Sequence, residues 1–451
     1  MKSRFFSIFT VLLVVGLLLV GCMPPPAAPA QPAAQPAEPT AQPAEPTAKP
    51  AEPAAAAQKA TVVHYFSDTL GKETITGIFN QFTKDTGIQV VDNTTGHEDF
   101  KTQILVMLAG DNPPDIFSYW AGARVQFVAD SDRLEPIDAL WDANKLGDVV
   151  PPALAAKATM YNGKRYLIPF GYHYAGMFYN PKVMAQAGIT EFPTTWDGFL
   201  AMCQKLKDAG VAPIALGSKN RWPAQFWFDY LLLRTAGPEY REKLMAGKAA
   251  YTDPEVAKAM EMWKELVDKG YFVENANAYD WTDAADQVAN GKAAMTLMGT
   301  WITGYWNGNK LKPVDDYDFF PFPTITEGVP NAVVGPVDGW VMAAGAKDKE
   351  AAGKLLSYLV SNVDASSKWA VGQGALSPNV NADPKIYTPV MQKAAKTVAD
   401  AAAFAFNYDL ATTPPMAEGG LNMFAQFMDK PADYANYLAQ TEAVAKEVFK
   451  K

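Results

Sequence analysis

The sequence predicts an α/β protein of two lobes, and three observations lead to this fold class. The chain has 451 residues, which exceeds one ordinary domain and indicates two or three. From Thr61 onward, short apolar segments alternate with segments whose apolar residues recur at helical spacing. The hydrophobic fraction of 49% is enough to fill sizeable cores. Alternating strands and helices favour mostly parallel sheets covered by helices.

The first predicted elements follow one another in the order strand, helix, strand, helix, strand. Apolar residues at helical spacing predict helices over 71–85, which Gly87 ends, and over 99–108. Short apolar runs predict strands at 62–66, 88–91 and 115–119. This βαβαβ order predicts the parallel sheet of the first lobe.

A second α/β run begins near Tyr166. Helices are predicted to start at Thr195 and at Pro254, where Asp253 is placed as the N-cap, and another covers 349–360. Strands are predicted at 166–170, 177–179, 213–216, 294–298, 318–322 and 339–344. Ligands of open α/β sheets bind beyond the carboxyl ends of the strands, and interfaces between domains are favoured sites, so we expect a ligand between the lobes.

The N-terminal segment 1–21 has the features of an export signal. Lys2 and Arg4 precede an apolar stretch over 5–20 that is shorter than a membrane-spanning helix needs. The stretch ends in Leu-Val-Gly followed by Cys22, which resembles the lipobox of bacterial lipoproteins. That resemblance implies lipidation of Cys22 and a membrane anchor. The alternatives are a plain signal peptide, or an anchoring helix with an incidental cysteine.

Residues 22–60 are predicted to be a disordered tether, because they are rich in Pro and Ala and contain a repeated heptad at 35–41 and 42–48. The other cysteine, Cys203, lies on an apolar helical stripe and is expected to be buried.

Composition excludes several classes of function. A net charge of −9 lacks the basic footprint of a nucleic-acid binder. Two cysteines exclude a disulfide framework and a thiolate zinc site. The chain also lacks a phosphate-binding Gly-Lys-Ser/Thr loop, a Gly-x-Ser-x-Gly elbow and a His-Glu-x-x-His motif. We therefore expect neither a catalytic centre nor a metal or cofactor, and the eleven Trp need another explanation.

Four segments together resemble a known family. They are the helix-turn-strand segment 106–120 with its Gly-Asp-Asn-Pro-Pro-Asp turn, the segment 163–182, the helix start Pro-Thr-Thr-Trp-Asp at 193–197, and the segment 291–301 that ends in Gly-Thr-Trp. Their order and spacing over about 61–451 are similar to the extracellular solute-binding proteins of ABC importers, in the sugar-binding branch that includes maltose-binding protein.

The resemblance implies a type II periplasmic-binding-protein fold with the ligand in the interlobe cleft. It implies three crossings between the lobes, near 169–174, 325–333 and 372–376. The N-lobe would comprise 61–170 and 334–372, and the C-lobe 171–333 and 373–451. The implied function is to capture a mono- or oligosaccharide by hinge closure and deliver it to a membrane permease with a cytoplasmic ATPase. We expect a lipid-anchored monomer at the cell surface or in the periplasm.

A sugar site needs aromatic rings for the C–H faces of the sugar and polar side chains for its hydroxyl rim. The resemblance places Trp120, Asp68 and Trp301 at ligand-binding positions. His173 stands where the family has a binding Glu, His64 where it has Trp, and Ala123 where it has Asp. The residues themselves also suggest Trp222 in a loop, Glu98 at a helix start, Asp338 and Trp340 in a late strand, and Tyr172 beside His173. Arg124 would flank the site.

Most of these residues also have a structural interpretation. Trp120 could be an edge core residue, His64 a core histidine, and Asp68 or Glu98 a helix cap. The function has alternatives as well: a polyol, polyamine or anion as the solute, a surface glycoside hydrolase built on Asp68, Glu98 or Asp338, or a sensor partner without transport.

Overall fold

The computed structural model of the protein describes residues 58–450. The predicted signal peptide, Cys22 and the tether up to residue 57 lie outside the described residues. The first strand begins at Lys59, because Lys59 and Ala60 already pair with Gln89 and Val90 of the next strand. The last two residues of the predicted tether therefore belong to the folded part.

Among the described residues, the first five elements follow the predicted order strand, helix, strand, helix, strand, whereas later in the chain several strands or helices follow one another directly. The strands are β1 Lys59–His64, β2 Gln89–Thr94, β3 Ile116–Trp120, β4 Met160–Tyr161, β5 Lys164–Arg165, β6 Leu167–Tyr172, β7 Ala175–Tyr179, β8 Ala212–Ile214, β9 Ala293–Gly299, β10 Asp318–Phe320, β11 Ala332–Val334, β12 Val337–Met342 and β13 Ala403–Ala405.

Helices make up most of the remaining chain. They are α1 Thr69–Thr86, α2 His97–Ala109, α3 Ala123–Ala129, α4 Asp138–Ala143, α5 Pro152–Ala158, α6 Pro181–Gln186, α7 Trp196–Asp208, α8 Gln225–Thr235, α9 Gly237–Met245, α10 Pro254–Asp268, α11 Trp281–Ala289, α12 Trp301–Gly308, α13 Lys349–Ser361, α14 Val363–Gln373, α15 Pro389–Ala399, α16 Tyr408–Ala411, α17 Pro414–Asp429 and α18 Tyr434–Val448.

Local chemistry explains several of these boundaries. The Asp68 carboxylate accepts a hydrogen bond from the Gly71 amide at the start of α1. Gly87 ends the same helix at φ 75°, a conformation that glycine adopts without a Cβ penalty. Thr195 caps α7 in the same way as Asp68 caps α1. These caps lie where the sequence predicted helix ends.

The first sheet has five strands in the order β2-β1-β3-β12-β6. β1 is parallel to β2 and β3, whereas β12 is antiparallel to both of its neighbours. The second sheet has four strands in the order β10-β7-β9-β8, and β7 is antiparallel to both of its neighbours. β7 follows β6 of the first sheet directly, and β12 follows β11, which pairs with β13 in a separate two-stranded sheet, so no crossover helix forces β7 or β12 to be parallel. The α/β class with helix-covered sheets is confirmed.

Each sheet has its own hydrophobic core. The first core draws its buried residues from 60–170 and 337–369, with Leu410 added. The second draws them from 174–334 and 376–445. Cys203 is fully buried in the second core, as predicted. Within residues 58–450, no helix combines the length and the apolar character needed to cross a membrane.

The chain passes between the two sheets at three places. β6 ends at Tyr172 in the first sheet, and β7 begins at Ala175 in the second. The chain returns between β10 and β12, and it leaves the first core again after α14, which ends at Gln373. These three passages lie beside one another and border the site described next.

Candidate functional site

A cavity of about 340 Å³ lies between the two lobes. Six of the residues predicted from the sequence line it: Asp68, Trp120, His173, Trp222, Trp301 and Asp338. They come from separate segments between Asp68 and Asp338, so the fold brings them together.

Four other predicted residues do not line this cavity. His64 and Trp340 are fully buried in the first core, where their rings lie 6.2 Å apart edge to face. Tyr172 lines a second cavity of about 610 Å³, because the passage after β6 turns its side chain away. Glu98 lies directly behind the wall and contacts a residue that does line the cavity.

A hydrogen-bonded chain crosses between the lobes at the bottom of the cavity. The Tyr65 hydroxyl donates to Asp338 Oδ1 at 2.7 Å, and His173 Nε2 lies 3.1 Å from Asp338 Oδ2. The other ring nitrogen of His173 lies 3.0 Å from the Thr300 hydroxyl. Burial and the Asp338 carboxylate hold the pKa of Tyr65 well above its ordinary value, so Tyr65 remains a hydrogen-bond donor. This chain fixes the position of His173 from both sides.

Asp68 is a helix cap, which was one of its two predicted roles, and it also lines the cavity. Its Oδ1 caps α1 through Gly71, and its Oδ2 accepts a hydrogen bond from Gln373 Nε2 at 2.9 Å. Burial raises the pKa of the Asp68 carboxyl, although these hydrogen bonds oppose the shift. Gln373 ends α14 at the third passage and also lines the cavity.

The rings on the N-lobe side are packed against one another. Tyr65 stacks on Trp120 with their centroids 4.4 Å apart, and the Arg124 guanidinium lies 5.5 Å from the centroid of Trp120. Trp120 is only 6% exposed. Tyr65 was not predicted as a site residue. It directly follows the apolar residues of β1, and its sequence context does not distinguish it from a core tyrosine.

On the C-lobe side, Trp301 is more open than Trp120, whereas Trp222 and Phe226 are buried. Trp301 is half-buried, and its indole lies so close to Gly299 that a Cβ there would be 1.9 Å from the ring. Gly299 thus provides a flat backbone support under the ring. Trp222 packs edge to face on Trp301 at 5.9 Å, and Phe226 lies 6.1 Å from the same ring.

The two lobes also contact each other where Trp222 meets α2. Trp222 Nε1 donates to Glu98 Oε1 at 3.1 Å, and Glu98 also contacts His97 and Lys101. Burial alone would raise the pKa of Glu98, but the hydrogen bond from His97 and the charge of Lys101 outweigh it and lower this pKa to about 2. Glu98 is therefore ionised at neutral pH and accepts from the indole as an anion.

One end of the cavity is polar and is organised by Asp409. Arg124 Nη2 lies 3.2 Å from Asp409 Oδ2, Asn407 Nδ2 donates to Asp409 Oδ1 at 2.6 Å, and the Asp409 amide donates to Gln225 Oε1 at 2.8 Å. Three buried atoms here have no hydrogen-bond partner among residues 58–450: Arg124 Nε, Gln225 Nε2 and Asn407 Oδ1. This end therefore keeps unused hydrogen-bonding capacity. The sequence did not predict this polar end, because Gln225, Asn407 and Asp409 are single polar residues within aromatic and Ala-rich stretches.

The ionised groups around the cavity are paired with protein groups. Arg124 pairs with Asp409, Lys101 with Glu98, and Asp338 with Tyr65 and His173. Over residues 58–450, no group of three or more His, Cys, Asp or Glu side chains is arranged to hold a metal ion. The cationic side chains Arg124 and Lys101 of the cavity wall are therefore paired with carboxylates, whereas the Asp68 carboxylate is held by hydrogen bonds from Gly71 and Gln373.

Sequence comparison places these features in a family. Residues 67–365 match the family model for bacterial extracellular solute-binding proteins. An uncharacterized ABC transporter extracellular-binding protein of Pyrococcus horikoshii is 29% identical over 341 residues, which cover 74% of this chain and 75% of that protein. A "probable sugar-binding periplasmic protein" of Mesorhizobium japonicum is 31% identical over 53% of this chain and 56% of its own.

Structural comparison gives a consistent result. The crystal structure of the bacterial solute receptor AcbH matches with a TM-score of 0.82 at 29% identity, covering 87% of this chain and 100% of that one. That receptor is described as having an exclusive substrate preference for β-D-galactopyranose. The chain therefore belongs to the bacterial extracellular solute-binding proteins, a family of binding proteins that work in the periplasm or at the cell surface.

Proposed function

We propose that the protein captures a neutral carbohydrate in its interlobe cavity and delivers it to an ABC importer. The observation that carries this proposal is the cavity wall, which combines accessible indole and phenol rings with polar groups whose charges are already paired. Sugar faces stack on such rings, and hydroxyls use the remaining hydrogen bonds. The named substrates of the sugar-binding relative and of the galactopyranose receptor support it.

The charge pattern argues against the ionic solutes. An anion would need a cationic group to receive it, but Arg124 pairs with Asp409, and Arg221 pairs with Glu418 and Asn422. A polyamine would need open carboxylates, but those of Asp68, Asp338 and Asp409 already accept hydrogen bonds from protein groups. A neutral ligand leaves all of these pairs intact, which avoids leaving a buried charge unpaired.

The energies are sufficient for micromolar binding. Each ring that a sugar buries contributes roughly 1.5–3 kcal/mol. Micromolar affinity needs about 8 kcal/mol in total. Two or three stacked rings with a hydrogen-bonded rim therefore reach this range.

The remaining expectations belong to the same proposal. The division into lobes at 61–170 with 334–372 and at 171–333 with 373–451 is supported by the two sheets and the two cores. A transmembrane permease with its ATPase would receive the ligand, a lipid on Cys22 would hold the protein at the membrane, and the protein would act as a monomer without enzymatic activity.

Titration calorimetry of the purified residues 58–451 against neutral sugars, polyols, polyamines and sugar acids tests the solute class. We expect at least one neutral sugar to bind with micromolar or tighter affinity and the charged solutes to bind far more weakly. Binding of only charged solutes, or of no sugar, would contradict the proposal. Release of product from a chromogenic glycoside would instead indicate the hydrolase alternative.

The lipid anchor needs a separate experiment. Cells that express the full chain can be labelled with a radioactive fatty acid, and a Cys22→Ser variant serves as the matched control. We expect label and membrane association only in the wild type, since the thioether forms on the cysteine. Equal labelling of both proteins would exclude Cys22 as the anchor.

A further inference from the structure

Three half-buried rings follow one another along the C-lobe wall of the cavity. They are Trp301, Tyr305 and Trp281, which we call the aromatic row. Trp301 and Tyr305 are four residues apart on α12, so they lie on the same face of that helix. Trp281 then contacts Tyr305 edge to face, with the ring centroids 5.3 Å apart. Trp301 contacts Trp222 and His173 at one end of the row, and Tyr305 and Trp281 continue the row away from these two residues.

The far end of the row is held rigidly. Asp280, just before Trp281, receives hydrogen bonds from Asn220 Nδ2 at 2.7 Å and from Lys219 Nζ at 3.0 Å. A Cβ on Gly217 would lie 2.0 Å from the Asp280 carbonyl oxygen, so the two backbones are in direct contact. The Tyr305 hydroxyl donates to Asp286 at 3.1 Å. Both rings are thus pre-organised without a ligand, which favours binding.

The row does not serve the core in the way that neighbouring rings do. On the same helix Trp306 is fully buried, whereas Trp301 and Tyr305 keep part of their rings uncovered. Large aromatic side chains left uncovered at a cavity indicate a ligand surface more strongly than scattered exposed residues do. Thr282 and Asp286 provide polar atoms beside the rings. Rings bordered by hydroxyl and carboxylate groups match a pyranose, which has apolar faces and a hydroxyl rim.

We propose that Tyr305 and Trp281 form a second sugar-ring subsite, so that the physiological ligand is an oligosaccharide of at least two linked neutral rings. This inference rests on the proposed function and refines it. The first ring binds at Trp301 near His173 and Asp338. The second ring binds on Tyr305 and Trp281, and its hydroxyls lie beside Thr282 and Asp286.

The test compares ligand length in wild type and variants. A library of neutral mono-, di- and trisaccharides, including xylose, glucose and galactose with their β-1,4-linked oligomers, is screened by calorimetry on residues 58–451. We expect a disaccharide to bind the wild type about tenfold or more tightly than its monosaccharide, as an additional stacked ring predicts. Trp281→Ala and Tyr305→Ala should abolish this ratio and leave monosaccharide affinity nearly unchanged.

Two control variants separate the loss of a ring in the cavity from the loss of a hydroxyl group and from the loss of a ring elsewhere. Tyr305→Phe keeps the ring and should retain most of the ratio, and Phe127→Ala removes an exposed ring that does not line the cavity. Far-ultraviolet circular dichroism and melting temperature establish that each variant is folded.

Each outcome decides one of the two proposals. If the wild type binds monosaccharides only, or if Trp281→Ala and Tyr305→Ala weaken mono- and disaccharides equally, the second subsite is refuted and the sugar function stands. If no sugar of any length binds the wild type, the proposed function fails and the subsite fails with it. A ratio lost in both alanine variants and kept in both controls supports the subsite.

Discussion

Two aromatic clusters, one in the first core and one on the C-lobe side of the cavity, use the same residue types differently. The core cluster consists of His64, Phe79, Phe170, Trp340 and Trp369, whose rings pack edge to face or stacked at 4.7–6.2 Å. The cavity cluster consists of Trp222, Phe226, Trp281, Trp301 and Tyr305, whose contacting rings lie 5.3–6.3 Å apart. Spacing between rings therefore does not separate a core from a binding surface.

The difference lies in what covers the faces and the indole nitrogens of the rings. Trp340 and Trp369 are fully buried, and their Nε1 atoms have no hydrogen-bond partner among the described residues. In the cavity cluster, Trp222 Nε1 donates to Glu98, and Trp301, Trp281 and Tyr305 are only partly covered. A core ring is stabilised by burial alone, whereas Trp281, Trp301 and Tyr305 keep surface available for another molecule.

The largest expected effect comes from removing a ring of the core cluster. Trp340→Ala should lower the free energy of unfolding by about 3–5 kcal/mol, because it leaves a cavity among packed rings. Urea unfolding followed by circular dichroism measures this loss. A loss below about 1 kcal/mol would show that Trp340 is not part of a packed core.

Removing a half-buried ring of the cavity cluster should instead weaken ligand binding and leave stability almost unchanged. Trp301→Ala should weaken sugar binding by roughly 1.5–3 kcal/mol, which is about ten- to a hundredfold, with little change in the free energy of unfolding. Calorimetry and unfolding of the same preparation measure both quantities. A variant that loses stability and keeps its affinity would place Trp301 in the core cluster.

The hydrogen-bonded chain between the lobes can be broken at Asp338, which lies two residues before Trp340 of the core cluster on β12. Asp338→Asn keeps the shape of the side chain but loses one of its two charged contacts, with Tyr65 or with His173. We expect a loss of about 1.5–3 kcal/mol in the free energy of unfolding. We also expect weaker sugar binding, because His173 loses its orientation. Unchanged values for both would exclude a positioning role of this network.

The smallest expected effect concerns the pH dependence of stability that Glu98 contributes where it contacts Trp222. The pKa of Glu98 in the folded protein is about 2, below its ordinary value of 4.5. The folded state thus binds this proton less readily, so the contribution of Glu98 to stability is complete above pH 4.5 and disappears as the pH falls through about 2. Glu98→Gln should show a shallower loss of urea resistance between pH 4.5 and 2 than the wild type. Identical slopes would contradict the lowered pKa.

The sequence predicted the alternation of strands and helices because burial and helix caps act locally, as at Asp68, Gly87 and Thr195. It could not decide which rings face the cavity. Trp196 and Trp281 each follow a helix-capping residue, yet Trp196 packs in the second core while Trp281 lines the cavity. Asp338 and Trp340 belong to one strand, but Asp338 lines the cavity while Trp340 is fully buried in the first core. The sequence alone does not show where along the strand the core ends and the cavity begins. Gln225, Asn407 and Asp409 meet only after folding.

The three passages of the chain between the sheets have one further consequence. Each of them contributes a side chain to the cavity wall: His173 at the first, Asp338 at the second and Gln373 at the third. A ligand bound in the cavity would therefore contact all three passages directly. If the lobes close by rotation about these passages, such a ligand acts on the equilibrium between the open and closed forms without intermediate residues.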